Sequence, residues 1–198
     1  MPETAVLPLL IMLAAYLMGS LSSAVILCKL AGLPDPRTQG SGNPGATNVL
    51  RMGSRKLAVL VLLIDVLKGV IPVVLGRIVG LEFNALALIA LLVFAGHLYP
   101  VFFQFKGGKG VATALGAFLA LAPLLALLAL LTWGLVFAIS RISSLSAISA
   151  ALMAPVYGFW LLPEVLARYV VLVIALMLLW RHKANIQRLL SGQEKKAG

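Results

Sequence analysis

The sequence predicts one all-α integral membrane domain, residues 1–198, built as a bundle of about seven transmembrane helices. Three observations lead to this fold class. The chain is 62% apolar and only 11% charged, whereas apolar residues make up about half of a soluble domain. Apolar stretches of about 20 residues, long enough to cross the hydrocarbon core as helices, recur along the chain. The alternating pattern expected of membrane β-barrel strands is not found.

The first predicted span lies within residues 1–30. Its start carries no positive charge, and its apolar run is too long for a cleaved signal peptide. Its second half contains small residues that allow close helix contact, and we favour this packing role over a role in the site. These residues are Gly19, Ser20, Ser22 and Ser23. The single cysteine, Cys28, excludes an intrachain disulfide.

A polar segment over residues 31–56 follows, in which prolines and glycines interrupt helical periodicity. The apolar run from Gly110 to Ser140, which contains Pro123, fits either one long tilted helix or two short spans. The other spans are predicted from about Leu57 to Val79, from about Asn84 to Tyr99, from about Ala147 to Leu161, and up to Trp180.

The basic residues decide the number of spans and their orientation. If the polar segments face the cytoplasm, that side holds 13 of the 16 basic residues, as the positive-inside rule requires. This arrangement needs an external N-terminus, an internal C-terminus and an odd number of spans, so we split the run at Pro123 and predict seven. The net charge of +10 does not indicate nucleic-acid binding, because the basic residues lie beside apolar segments and form no separate domain.

The stretch over residues 96–116 is predicted to hold the chemical site, because its glycines and cations lie between two apolar segments. Glycine permits sharp turns, and the apolar residues that follow predict a helix. The free N–H groups at that helix start, the positive end of its dipole and two lysines together would cradle a phosphate. The residues concerned are His97, Lys106, Gly107, Gly108, Lys109, Gly110 and Thr113.

Two other interpretations of this stretch compete with a phosphate site. A glycine-rich turn between membrane helices, with lysines at the lipid headgroups, would only fix the topology. A Walker A loop would need a Lys-Ser/Thr pair after a strand, and here Gly110 follows Lys109. We therefore reject the Walker A interpretation.

A charged pair lies inside the second predicted span. Asp65 and Lys68 are three residues apart and so occupy neighbouring positions on one helix face. Charges within a span are costly and usually face a cavity or each other. A role in the site and a purely structural ion pair are equally compatible with this pattern.

Three further segments contain more hydrogen-bonding groups than turns or anchors require. They contribute Ser41, Asn43, Asn48 and Arg51; Arg141, Ser143 and Ser144; and, in the tail, His182, Asn185 and Arg188. The tail residues follow one another at three-residue steps, so on a continuing helix they share one polar arc. A basic membrane anchor explains the lysines of the tail but not His182 and Asn185.

Three of these segments resemble the three motifs of the bacterial acyl-phosphate:glycerol-3-phosphate acyltransferases, the PlsY family. They read SGNPGATNVLR (41–51), GHLYPVFFQFKGGKGVAT (96–113) and RHKANIQRLLSGQE (181–194). The resemblance covers nearly the whole chain, including DVLKG at Asp65 and RISSLS at Arg141. It implies transfer of a fatty acyl group from acyl phosphate to the 1-hydroxyl of glycerol 3-phosphate, forming lysophosphatidic acid and inorganic phosphate.

The resemblance also implies a location and partners. We expect the bacterial inner membrane, an active site on its cytoplasmic side, and the enzyme that supplies acyl phosphate as a candidate partner. No cofactor is expected, and the sequence contains no carboxylate cluster of the kind that binds a metal. A transporter of organophosphates is the alternative from another class, but no inverted repeat is detectable and the polar segments share one predicted side.

The expected chemistry centres on His97, with Asp65 and Lys68 as further catalytic candidates. Neutral imidazole can accept the hydroxyl proton near neutral pH, so His97 is a candidate base or phosphate orienter, with the departing phosphate as the rival base. The His-x4-Asp pair of acyl-CoA acyltransferases is absent, since Phe102 follows His97 at that spacing. The glycine loop with Lys106 and Lys109 is expected to bind the phosphate of the donor. Asn43, Asn48 and Arg51, with Arg188, are expected to bind glycerol 3-phosphate, because an arginine fork suits a phosphate dianion.

Overall fold

The computed structural model describes residues 3–196, and over that range the chain forms ten α-helices and one 3-10 turn, with no strand. The helices are α1 (Glu3–Gly19), α2 (Ser23–Leu30), α3 (Ala46–Arg51), α4 (Arg55–Ile78), α5 (Phe83–Leu98), α6 (Val111–Leu121), α7 (Pro123–Ser140), α8 (Ser143–Leu161), α9 (Val165–Arg181) and α10 (Lys183–Leu190). Residues 1, 2, 197 and 198, and with them both predicted terminal orientations, lie outside the described residues. The all-α prediction is confirmed for the rest of the chain.

Four of these helices are long and apolar enough to cross a membrane: α4, α5 with the 3-10 turn after it, α7 and α8. The number rises to six if each of two bent pairs forms one span, α1 with α2 at 48° and α9 with α10 at 59°. Helix α6 is apolar but shorter, with 11 residues. The predicted count of seven depends on α6 and stays a prediction.

The apolar run that contained Pro123 is broken into two helices. Ala122 between them is extended, with φ −150° and ψ 92°, and Pro123 is the first residue of α7. Proline suits that position because it has no N–H to lose and its fixed φ matches a helix. Nη2 of Arg77 donates to the carbonyl of Leu121 at 3.0 Å, so a carbonyl freed by the break is satisfied from α4.

Glycines bring the central helices into close contact in two places. A Cβ on Gly19 would overlap the carbonyl of Val93, and a Cβ on Gly96 would overlap that of Tyr16, so α1 and α5 touch backbone to backbone. Gly69 of α4 and Gly116 of α6 form the same kind of contact. Small residues allow such approaches. The packing role predicted for Gly19 is thus confirmed, and α4 is held directly beside the start of α6.

The hydrophobic core is centred on α5, which is buried along most of its length. The short helices α2 and α3 pack on α4, while α10 packs on α8 and α9. This arrangement brings the loop before α3, the loop before α6 and the C-terminal tail to one region of the bundle. All three segments that carry the family resemblance meet there.

Candidate active site

A cavity of about 730 Å³ lies between α4, α6, α7, α8 and α9. Most of its wall is apolar and includes Leu62, Phe118, Trp133, Phe137 and Ile174. Its remaining wall is polar and comes from the three meeting segments together with α4, the end of α5 and the start of α8. The polar lining residues are Ser41, Asn43, Thr47, Asn48, Arg51, Arg55, Asp65, His97, Lys109, Ser143, Ser144, His182, Asn185 and Glu194, with the backbone of Gly110 beside them. Most of the predicted site residues therefore border one cavity.

The glycine loop before α6 leaves a row of N–H groups without a partner. Gly110, with φ +81°, turns the chain into α6 in the left-handed region that favours glycine. The backbone N–H groups of residues 109–113 have no acceptor within the described part of the chain. The first N–H groups of a helix lack partners by construction and carry its positive dipole end. Lys109 and Gly110 line the cavity, so the geometry is compatible with the phosphate site expected from the sequence, and anion binding there stays a prediction.

His97, at the end of α5, supports the glycine loop with both its backbone and its ring. Its carbonyl accepts a hydrogen bond from the N–H of Gly108 at 3.2 Å. A Cβ on Gly108 would overlap Nε2 of His97. Nδ1 of the ring lies 3.0 Å from the hydroxyl of Thr113 and 3.7 Å from Oδ1 of Asp65. His97 is thus enclosed between the loop, α6 and α4.

Asp65 and Lys68 form a buried ion pair. Lys68 Nζ lies 2.9 Å from Asp65 Oδ1, and their side chains are only 5% and 4% exposed. Ser23 donates to the same carboxylate oxygen at 2.8 Å, and Lys68 donates to the carbonyl of Leu21, in the break between α1 and α2, at 2.9 Å. These bonds give the pair a structural role. The pair also borders the site, because Asp65 lines the cavity, whereas Lys68 does not. Ser23, for which we favoured a packing role, therefore also forms a hydrogen bond with a residue that lines the cavity.

The C-terminal tail closes the polar end of the cavity through Glu194. The carboxylate of Glu194 accepts hydrogen bonds of 2.6 Å from Ser144, Asn185 and Arg188. Its side chain is only 5% exposed. Burial opposes the charged form of Glu194, but the three hydrogen bonds together hold its pKa below the usual value. Arg188 does not itself line the cavity, but it forms a hydrogen bond with Glu194, which does.

Lys109 joins the glycine loop to this tail. Its Nζ donates to Oδ1 of Asn185 at 2.5 Å. Burial, with Arg188 and other nearby cations adding to the effect, lowers the pKa of Lys109 to about 8, against the opposing influence of Glu194. His182 lies beside this pair, with Nδ1 2.9 Å from the carbonyl of Leu178. A proton on Nδ1 for that bond leaves Nε2 without one.

Asn48 is placed differently from its predicted role. It borders the cavity, but its amide is occupied: Oδ1 accepts from the N–H of Ser41 at 2.9 Å, and Nδ2 donates to the carbonyls of Pro36 and Gln39. Each of these bonds holds the loop that carries Ser41 and Asn43. Asn48 therefore contributes to the site by fixing the conformation of this loop.

Two predicted substrate-binding cations stand apart from the cavity. Lys106 and Arg141 are both exposed and neither lines it. Arg141 ends α7 in the left-handed conformation, with φ +59°. Of the two loop lysines, only Lys109 is turned toward the site. Lys68, Gly107, Gly108 and Thr113 also lie outside the lining, but they contact residues that form it.

Two residues that sequence reasoning did not single out are central to the geometry, Glu194 and Arg181. Nη2 and Nε of Arg181 donate to the carbonyls of Gly107 and Gly108 at 2.6 and 3.1 Å. Glu194 offered a signal, as the single carboxylate in a basic tail. Arg181 offered none, because a basic residue at the end of a span is ordinary.

The fold and the cavity together describe a helical membrane protein with a mostly apolar pocket that is also bordered by cationic and other polar groups. Residues 9–192 match the family model described as glycerol-3-phosphate acyltransferase. Relatives with that name include those from Methylobacillus flagellatus, 54% identical over 94% of this chain and 95% of the relative, and Thioalkalivibrio sulfidiphilus, 53% identical over 95% and 93%. The chain belongs to the glycerol-3-phosphate acyltransferase family and is an acyltransferase.

Solved structures agree with this assignment. The glycerol 3-phosphate form of PlsY (YgiH), an integral membrane glycerol 3-phosphate acyltransferase, is 42% identical, with a TM-score of 0.91 and 96% of each chain covered. Its lysophosphatidic acid form is 41% identical, with a TM-score of 0.88 over 96% of this chain and 95% of that one. The family resemblance read from the three motifs is confirmed.

Proposed function

We propose that this protein transfers a fatty acyl group from acyl phosphate to the 1-hydroxyl of glycerol 3-phosphate, releasing lysophosphatidic acid and inorganic phosphate at the cytoplasmic face of the bacterial inner membrane. The observation that carries the proposal is the anion-binding start of α6, with Lys109, at the polar end of an apolar cavity. Both substrates carry phosphate, and one carries a long chain. The forms in which PlsY was solved support the acceptor and the product.

The apolar cavity suits the acyl chain. Its walls come from α4, α6, α7, α8 and α9 and are mostly aliphatic or aromatic. Each methylene group moved from water into such a wall contributes about 0.8 kcal/mol. The chain would lie among Leu62, Phe118 and Trp133, with its carboxyl carbon near the polar end. That placement brings the reacting carbon to the phosphate-binding groups.

The glycine loop and Lys109 provide the phosphate site. Five successive N–H groups, residues 109–113, lack an acceptor among the described residues, and Lys109 supplies a cation beside them. Backbone N–H groups at a helix start and a lysine ammonium are a frequent combination for phosphate. We assign this site to the donor, as expected from the sequence. Arg51, Arg55 and Asn43, which line the same end, would then bind glycerol 3-phosphate.

The reaction needs a proton acceptor but little acid catalysis. The hydroxyl oxygen attacks the acyl carbon, the bond from that carbon to the phosphate oxygen breaks, and the hydroxyl proton must leave. His97 is enclosed by Thr113, Asp65 and Gly108, which supports the orienting role over that of base. The departing phosphate takes the proton and leaves as hydrogen phosphate, so that charge and protons balance.

Purified protein in detergent provides the test. With palmitoyl phosphate and glycerol 3-phosphate it should form lysophosphatidic acid and equimolar phosphate, and with palmitoyl-CoA as sole donor it should form none. No compartments exist in detergent, so a carrier would give no product. Formation of lysophosphatidic acid from palmitoyl-CoA alone would contradict the donor assignment, and absence of product from both donors would contradict the activity.

A further inference from the structure

Arg181, the last residue of α9, forms hydrogen bonds with the backbone of the glycine loop. Its guanidinium donates to two successive carbonyls, Nη2 to Gly107 at 2.6 Å and Nε to Gly108 at 3.1 Å. The same guanidinium lies 5.9 Å from the ring centroid of Tyr99, where the loop begins. A planar fork with fixed donor directions can hold two adjacent carbonyls at once. Arg181 does not line the cavity.

These two bonds set the direction of two peptide planes. In a trans peptide the carbonyl of one residue and the N–H of the next point to opposite sides. Holding the Gly107 carbonyl aims the N–H of Gly108 at His97, whose carbonyl accepts it. Holding the Gly108 carbonyl aims the N–H of Lys109 away from Arg181. That N–H is the first of the row without an acceptor in the described chain.

We propose that Arg181 is a positioning residue, which keeps the two glycine peptides turned so that the phosphate-binding N–H groups face the cavity. Glycine peptides need such support, because glycine has the widest choice of backbone conformations. The inference rests on the proposed function, since it assigns Arg181 to the phosphate site described there. Arg181 acts through the loop and does not touch the substrate.

The opposite end of α9 supplies a matched control. Arg168 makes the same set of contacts: Nε donates to the carbonyl of Leu162 at 2.9 Å, Nη2 to that of Pro163 at 3.4 Å, and the guanidinium lies 5.4 Å from the ring centroid of Phe159. Neither Arg168 nor its partners line the cavity. Any general cost of removing an arginine from α9 should appear in both variants.

The experiment compares KM and kcat for both substrates in Arg181→Ala, Arg181→Lys and Arg168→Ala, together with thermal unfolding in detergent. Arg181→Ala should raise the KM for the substrate whose phosphate the loop binds by about tenfold, equivalent to about 1.4 kcal/mol, with kcat changed less. Arg181→Lys should restore part of that loss, because an ammonium lacks the planar fork. Arg168→Ala should leave both KM values unchanged.

A double variant separates positioning from direct contact. If Arg181 acts through the loop, adding Arg181→Ala to Gly108→Ala should cost little more than Gly108→Ala alone, because the loop is already displaced. Additive losses, an unchanged KM in Arg181→Ala, or full recovery in Arg181→Lys would overturn the proposal. If the alanine variant does not fold, an unchanged KM in Arg181→Lys overturns it equally. Should Gly108→Ala and Lys109→Ala also leave KM unchanged, the phosphate site itself fails, and not only this inference.

Discussion

The glycine loop and the loop before α3 border the same cavity but are built in opposite ways. The glycine loop is held by the carbonyl of His97 and the guanidinium of Arg181, and its N–H groups at residues 109–113 stay unpaired within the described chain. The loop before α3 is held by Asn48, whose side-chain amide forms hydrogen bonds with the backbone of Ser41, Pro36 and Gln39. The glycine loop thus keeps N–H groups without an acceptor in the described chain, whereas the loop before α3 is fixed by hydrogen bonds from its own segment.

This contrast predicts different responses to substitution. Changes in the glycine loop should act on substrate binding with little loss of stability, because its N–H groups at residues 109–113 bond nothing within the described chain. Changes at Asn48 should act first on stability and loop order, and only through these on activity.

Gly108→Ala should have the largest effect. The added Cβ would overlap Nε2 of His97, so the loop or the ring must move, and a shift of about 1 Å in a site can cost about 100-fold in rate. Gly134→Ala is the control, because a Cβ there has nothing within 4 Å. Steady-state kinetics with each substrate varied in turn provide the measurement. Equal activity of the two variants would mean that the loop is only a topological turn.

Lys109→Ala should raise the KM for one phosphate substrate by roughly 10- to 100-fold, the value of a hydrogen bond to a charged group. A rise for palmitoyl phosphate assigns the loop to the donor, and a rise for glycerol 3-phosphate assigns it to the acceptor. Lys109→Arg should recover only part of the loss, because a planar fork replaces a compact ammonium. Lys106→Ala serves as the control, since Lys106 is exposed outside the cavity. A loss as large in that control would contradict the assignment.

The same KM should depend on pH. Burial lowers the pKa of Lys109 to about 8, so the free enzyme keeps the cation below that pH and loses it above. The KM should therefore be constant near pH 7 and rise by about tenfold toward pH 9. In Lys109→Arg the rise should disappear, because a guanidinium stays protonated. A wild-type KM that is flat across this range would contradict a direct role for the ammonium.

Asn48→Ala should produce a smaller effect of a different kind. Three hydrogen bonds are lost, and the bond to the carbonyl of Pro36 is buried, so that leaving this carbonyl unpaired costs about 1–3 kcal/mol of stability. Thermal unfolding in detergent should shift downward, while kcat/KM falls by about tenfold or less. Asn84→Ala, at the distant end of α5, is the matched control. Unchanged stability with a large rise in KM would show that Asn48 binds substrate directly.

The sequence predicted the fold class well because composition and span length depend little on tertiary structure. The position of the glycine loop was also predictable, since glycines and lysines interrupt the apolar pattern directly before a helix, and its phosphate-binding role stays a prediction. The choice between Lys106 and Lys109 was not, because a loop has no period that tells which side chain faces inward. Arg181 and Glu194 were missed, and the bond of Ser23 to Asp65 was not foreseen, because their partners lie far away in sequence or depend on the bend between α9 and α10.

The smallest expected effect on activity belongs to cysteine substitutions that test the topology, which should leave activity unaltered. Both loops and the tail are predicted to face the cytoplasm, so cysteines introduced at Gln39, Lys106 and Ser191 should resist a membrane-impermeant reagent in intact cells. These three residues are exposed. A cysteine at Glu82, between α4 and α5, should be labelled from outside and serves as the positive control. Labelling at any of the first three positions would contradict the orientation.

The most direct measurement is a structure of this protein with a non-hydrolysable acyl phosphonate bound. We expect phosphonate oxygens within hydrogen-bonding distance, about 2.7–3.2 Å, of the N–H groups at the start of α6 and of Lys109 Nζ, with the alkyl chain along Phe118 and Trp133. A phosphonate held by Arg51 and Arg55, with the N–H groups of residues 109–113 facing no ligand atom, would contradict the donor assignment. A phosphonate bound outside the cavity would contradict the site as a whole.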